Sequence, residues 1–146
     1  LGAGFHPDFS GRENTYLNGA ILGLTKKEIH QKFDSIVAFA ELEQFIDNSV
    51  KTYSSGMRAR LAFAISMIVE FDCFLIDEVV AVGDSRFHMK CEIELFEKRK
   101  NRAMIIVSHQ PEIIMLHCER AVVLHSGKIH CFEAISQAYD FYQTAL

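Results

Sequence analysis

The sequence predicts an α/β fold: a mainly parallel sheet with helices on both faces, and an inserted helical part. Two observations carry this expectation. Short apolar runs over 73–76 and 103–107 alternate with longer stretches whose apolar residues recur every three or four positions. The first half of the chain instead carries three helix starts, at Ser10, at Thr25 and at the turn Ser54-Ser55-Gly56. With 146 residues, 49% of them hydrophobic, the chain is long enough to bury a core. Its net charge of −4 and scattered basic residues argue against a nucleic-acid binder, which needs clustered Lys and Arg. The densest basic cluster, Lys98-Arg99-Lys100 with Arg102, ends a helix, where cations suit the dipole.

The elements follow in order. Gly2, Gly4 and Pro7 mark an opening loop. Ser10 caps a helix over 11 to about 22, with Glu13 at the capping-box position, and Thr25 with Glu28 opens a second helix in the same way. Ile29, Phe33, Ile36, Val37, Ala40 and Phe45 fall on one face of that helix and predict core packing. The aromatic stripe Phe33, Phe39 and Phe45 carries no chemistry. Ser54, Ser55 and Gly56 then lead into Leu61, Ala62, Ile65, Ile68 and Val69 at helical spacing, placing amides and hydroxyls at a helix N-terminus suited to phosphate. The run over 73–76 predicts a buried strand that ends in Asp77 and Glu78, acids whose desolvation is costly unless they are used.

Gly83 permits a turn into a helix over 85 to about 100, apolar at Phe87, Cys91 and Leu95. The strand over 103–107 delivers Ser108 and His109 at its end, where ligands sit in parallel sheets. Pro111 starts a helix reaching about 120. Runs over 121–124 and 129–132 around Ser126-Gly127 predict an edge hairpin with His125 and His130 exposed beside the turn. A last helix over 134–145 is amphipathic through Ile135, Ala138, Phe141 and Tyr142.

Cys73, Cys91, Cys118 and Cys131 show no Cys-x-x-Cys spacing, which fits a reduced, cytosolic compartment. His88 with Cys91 and His130 with Cys131 are adjacent enough to weigh as metal ligands, but neither spacing repeats, so packing or surface roles are expected. No secretory signal is evident at the start. The longest apolar run, over 61–69, is broken by Ser66 and falls well short of the roughly 20 residues a membrane helix needs.

Two stretches resemble a known family. Tyr53-Ser54-Ser55-Gly56-Met57-Arg58-Ala59-Arg60 is similar to the signature motif of ABC-type ATPases, and Phe74-Leu75-Ile76-Asp77-Glu78 to their Walker B motif. The continuation Val79-Val80-Ala81-Val82-Gly83-Asp84 resembles the D-loop, and Val107-Ser108-His109 the switch-histidine strand end, all in the family's order. Tyr53, Ser55 and Met57 depart from the usual Leu-Ser-Gly-Gly-Gln. The run Phe5-His6-Pro7-Asp8-Phe9-Ser10-Gly11-Arg12-Glu13-Asn14, the Tyr-Ser-Ser-Gly-Met spelling and the Val-Gly-Asp ending resemble the subgroup that exports capsule, O-antigen and teichoic acid.

The resemblance implies a division into 1–10 (remainder of the Q-loop region), 11–70 (helical subdomain ending in the signature helix) and 71–146 (later part of the ATPase core). It implies ATP and Mg²⁺ as ligands, with Ser54, Ser55, Gly56 and Asp84 at the nucleotide and Asp77 holding Mg²⁺ through water. Glu78 and His109 are the implied catalytic residues. Ser55 in place of glycine implies less backbone freedom against the phosphate. The implied partners are a membrane permease, a second copy arranged head to tail and, indirectly, the polysaccharide, at the cytoplasmic face of the plasma membrane.

No G-x-x-x-x-G-K-[ST] occurs in the 146 residues, so the resemblance covers about the later half of a nucleotide-binding domain, with the Q-loop glutamine expected at or before Leu1. These residues alone are expected to be inactive. The end of the sequence, without a carbohydrate-binding extension, points to the capsule type. Two other readings compete: a non-catalytic ABC-like interaction module, and a soluble ABC ATPase working on DNA. The acidic charge and the lack of heptads weigh against the second.

Overall fold

The computed structural model describes residues 4–77 and 84–145. They fall into two compact units: the described residues of Leu1–Phe71 with Val80–Lys98, and those of Asp72–Val79 with Arg99–Leu146.

The first unit is helical. Helix α1 (Gly11–Ile21) opens on a complete capping box: the Glu13 amide donates to Ser10 Oγ (3.1 Å) and the Ser10 amide donates to Glu13 Oε2 (2.8 Å). Helix α2 (Lys26–Ala40) repeats the device with Thr25 and Glu28. Ile29, Phe33, Ile36, Val37 and Ala40 are buried along α2, as the periodicity predicts. Phe45 is not part of that stripe. Glu41 turns the chain out of the helix with φ +57°, and Phe45 lies beyond it, 44% exposed.

A short 3₁₀ turn (Val50–Thr52) leads to α3 (Ser55–Ser66). This helix ends at Ser66, so Ile68 and Val69 are buried or half-buried beyond it rather than on it. It is apolar on two sides. Leu61, Ala64 and Ile65 join the core made by α2, Leu42, Ile46, Val50 and Tyr53. Phe63, Ala59 and Met67 pack with Phe87 and Cys91 of α4 (Ser85–Glu92). Phe39 serves both, stacked on Phe63 with centroids 5.8 Å apart and edge-on to Phe87 at 5.6 Å. The helix expected to run to about 100 changes to a π-helical stretch (Ile93–Glu97) that keeps Leu95 and Phe96 buried.

In the second unit β1 (Cys73–Asp77) pairs in parallel with β2 (Ala103–Val107), from Cys73↔Ala103 to Asp77↔Val107. The expectation of a strand buried on both faces fails among the described residues. Phe74 and Ile76 are buried, while Cys73, Leu75 (78% exposed) and Asp77 point to the open face. After α5 (Pro111–His117), β3 (Ala121–His125) and β4 (Lys128–Phe132) form the expected antiparallel hairpin. Ser126 (φ +49°) and Gly127 (φ +73°) supply the two left-handed positions that a tight primed turn requires. Helix α6 (Ile135–Ala145) packs on the hairpin through Phe141, 4.6 Å from the His130 ring and 5.5 Å from Phe132. His130 is therefore half-buried, not exposed as its place beside the turn suggested; His125 is exposed.

Candidate functional site

The first group of predicted residues sits at the start of α3. Ser54 is its N-cap, its Oγ accepting from the Met57 amide at 3.1 Å, and it stays exposed. Ser55 and Gly56 are the first two helical residues, so they belong to the helix and not to a turn before it. Ser55 has no positive φ, so the glycine freedom missed from the sequence is not required there. The first turn of an α-helix leaves amides without intrahelical partners, and the residue three after the cap is Met57, where α1 and α2 place Glu13 and Glu28. Among the described residues no carboxylate caps this helix end.

The glycines separate structure from access. A Cβ on Gly11 would collide with the Tyr53 hydroxyl and Ile46, and one on Gly19 would lie 2.7 Å from Ile29 Cδ1. On Gly56 it would meet only Ser54 Oγ, at 3.8 Å. Packing within the chain does not demand a glycine at 56; its effect is to keep the helix end bare. Tyr53 explains one departure from the family spelling. It is buried, its hydroxyl donates to the Phe45 carbonyl (2.7 Å), and burial pushes its phenol pKa up.

Asp84 is the N-cap of α4 and accepts from the Phe87 amide at 2.9 Å. That hydrogen bond first, then the nearby Arg60 and Arg86 charges, hold its carboxyl below the usual range. Both arginines also bind Glu41, which sequence reading passed over: Arg60 Nη1 donates at 3.3 Å, Lys90 Nζ at 3.2 Å, and Arg86 makes a short ion pair.

The second group lies in the other unit. Asp77 is the last residue of β1 and pairs with Val107, so its carboxylate and the Ser108-His109 segment leave the parallel strands at the same end. Ser108 Oγ accepts from the Gln110 amide at 3.0 Å. Asp77 and His109 are exposed, so the expected desolvation of Asp77 is not found. Glu78, Gly83 and the stretch between them lie outside the described residues.

Among the described residues no group of three His, Cys, Asp or Glu could hold a metal. Asp77 offers an exposed carboxylate of the kind that Mg²⁺ takes, with one or two protein oxygens and a shell completed by phosphate and water. His88 faces Glu92 at 3.4 Å, and the buried Cys91 thiol is pushed up to about 12 by desolvation, leaving it inert. All four cysteines are free thiols. No described helix is long and apolar enough to cross a membrane.

The fold is that of an ABC ATP-binding domain. Two solved structures share it: cbiO1 from Clostridium perfringens, part of the ABC transporter complex cbiONQ, has TM-score 0.61 and 20% identity, over 94% of this chain and 55% of that one. The dimeric ATP-binding cassette MJ0796 bound to ADP and Pi gives 0.64 and 19%, over 90% and 60%.

The chain is similar in sequence to proteins named as ATP-binding proteins, several of them of polysaccharide export systems. It is 59% identical over 104 residues to ATP-binding protein BexA of Haemophilus influenzae, covering 71% of this chain and 48% of that protein. Against the capsule polysaccharide export ATP-binding protein CtrD of Neisseria meningitidis it is 56% identical over 106 residues, 73% and 49% of the two. An O-antigen export system ATP-binding protein, RfbB of Klebsiella pneumoniae, is 40% identical over the whole of this chain and 60% of its own length. The chain thus spans about half the length of the first two of these relatives. No protein-family model matches it.

Proposed function

We propose that these residues are part of the ATP-hydrolysing subunit of an ABC exporter that moves a polysaccharide of the capsule, O-antigen or teichoic acid type across the cytoplasmic membrane. The observation that carries this reading is the α3 start: a serine cap, no first-turn acid and a glycine that chain packing does not need. Such an end suits a nucleotide phosphate. The names of similar proteins suggest the transported class.

In this reading Ser54, Ser55 and Gly56 bind the nucleotide held by a second copy of the chain, the two copies arranged head to tail, and Asp84 reaches across the same interface. Asp77 holds Mg²⁺ through water, and the ion when bound offsets phosphate charge. Water attacks the γ-phosphorus, the bond to the ADP oxygen breaks, and Glu78 takes the water proton while His109 donates to the γ-phosphate. Residues 11–70 act as the helical subdomain that meets the permease, and the subunit lies peripherally on the cytoplasmic face of the membrane.

Glu78→Gln in the full-length gene product tests this assignment. Removing a general base costs about 10²- to 10⁴-fold in turnover, whereas wild-type ATP turnover by the variant would sink the role. Residues 1–146 by themselves contain no phosphate-binding Gly-Lys loop, so on their own they are expected to turn over ATP at background rates. Glu78-dependent turnover by them would overturn that.

A further inference from the structure

Glu41 stands at the left-handed residue that ends α2, with φ +57° and ψ +48°, its amide donating to the Val37 carbonyl. Glycine is the ordinary choice there because a Cβ is strained at positive φ. Among the described non-glycine residues, the other with positive φ is Ser126, in the hairpin turn. A long acidic side chain kept where the backbone favours glycine points to a use for the carboxylate.

The use is visible in its partners. The carboxylate is three-quarters buried and faces three cations: Arg60 from α3, and Arg86 and Lys90 from α4. Lys90 also donates to the Phe39 carbonyl (2.8 Å), at the end of α2, and lies 4.7 Å from the centre of the Phe39 ring. Arg60 lies over the Phe87 ring, and its buried Nε has no hydrogen-bond partner among the described residues, so Glu41 supplies its counter-charge. Arg60 and Arg86 are also the cations that act on Asp84. Without Glu41, the partly buried Arg60 and Lys90 and the exposed Arg86 would face one another beside Asp84.

We infer that Glu41 is a positioning residue that fixes the start of α3, with Ser54 and Gly56, against the start of α4, with Asp84. This rests on the function proposed above, in which both helix starts act across one dimer interface. Glu41 touches no nucleotide. Its loss should lower turnover and cooperativity while leaving the binding of ATP to the single subunit alone. A merely structural role would move stability and nucleotide affinity together.

Glu41→Gly separates the two, because glycine removes the carboxylate and relieves the backbone. In the full-length gene product we expect turnover at saturating ATP to fall at least tenfold, while ATP affinity measured on the dilute single subunit stays within twofold. Glu41→Asp, which keeps the charge, should restore part of the turnover. Should Glu41→Gly aggregate, Glu41→Gln carries the same test. Turnover within twofold of wild type in the charge-free variant overturns the inference. If the wild-type product itself does not hydrolyse ATP, the proposed function fails and the positioning role falls with it.

Discussion

Helices α2 and α3 begin alike and end up with opposite characters. Each has a hydroxyl cap accepting from the third amide, Thr25 in one and Ser54 in the other. In α2, as in α1, the third residue is a glutamate that folds back onto the cap and places a negative charge on the positive end of the dipole. In α3 the third residue is Met57, and the first turn holds no acidic residue. Two ends carry a glutamate on the cap, and the third does not. A one-residue difference separates two closed helix starts from the one proposed above to meet a nucleotide phosphate.

Writing a capping box into α3 breaks the contrast most directly. Met57→Glu should lower ATP turnover by about 10²-fold, comparable to losing one preorganised donor at a charged centre. The same change should hold or raise the thermal midpoint, by up to about 1 kcal/mol of added cap and dipole stabilisation. Undiminished turnover with the raised midpoint would show that the open end has no ligand.

The glycines sharpen the contrast with a smaller effect. Gly11→Ala forces the Tyr53 hydroxyl or Ile46 to move and should cost about 1–3 kcal/mol in chemical denaturation. Gly56→Ala makes only an ordinary contact with Ser54 Oγ among the described residues, so its stability change should stay within about 1 kcal/mol while turnover drops. Equal destabilisation by both would erase the distinction between a packing glycine and an access glycine.

The smallest effect is acid sensitivity. Glu28 is held below the ordinary glutamate range by hydrogen bonds from the Thr25 side chain and amide, and Glu13 by those from the Ser10 amide and side chain. A depressed folded-state pKa stabilises fully above the ordinary glutamate value of about 4.3 and is lost as pH falls through the lower folded value. Hydrogen exchange followed from about pH 6 to about pH 3 should therefore loosen the first turns of α1 and α2 before that of α3. Simultaneous loosening of all three would remove the carboxylates as the cause.

Much of this was legible because it is local. Ser10 with Glu13, Thr25 with Glu28, the Ser126-Gly127 turn and the strand end at Asp77 are written within a few residues of sequence, and the structure places all four as expected. Phe45 was misplaced because counting by 3.6 continued past Glu41, where the helix stops without a glycine to announce it. Leu75 was misplaced because a short apolar run does not say how many faces are covered. The Glu41 cluster was invisible for a different reason: its cations are 19, 45 and 49 residues away in sequence, and neither periodicity nor motif spacing reaches that far.

The Tyr53 hydroxyl, bonded to the Phe45 carbonyl and wedged against Gly11, has a mechanical meaning. It rivets the residue before the Ser54 cap to the layer that α1 and α2 share, leaving no slack between them. The open helix start is thereby tied to α1 through one side chain, so its place depends on a contact that lies one residue outside the cap itself.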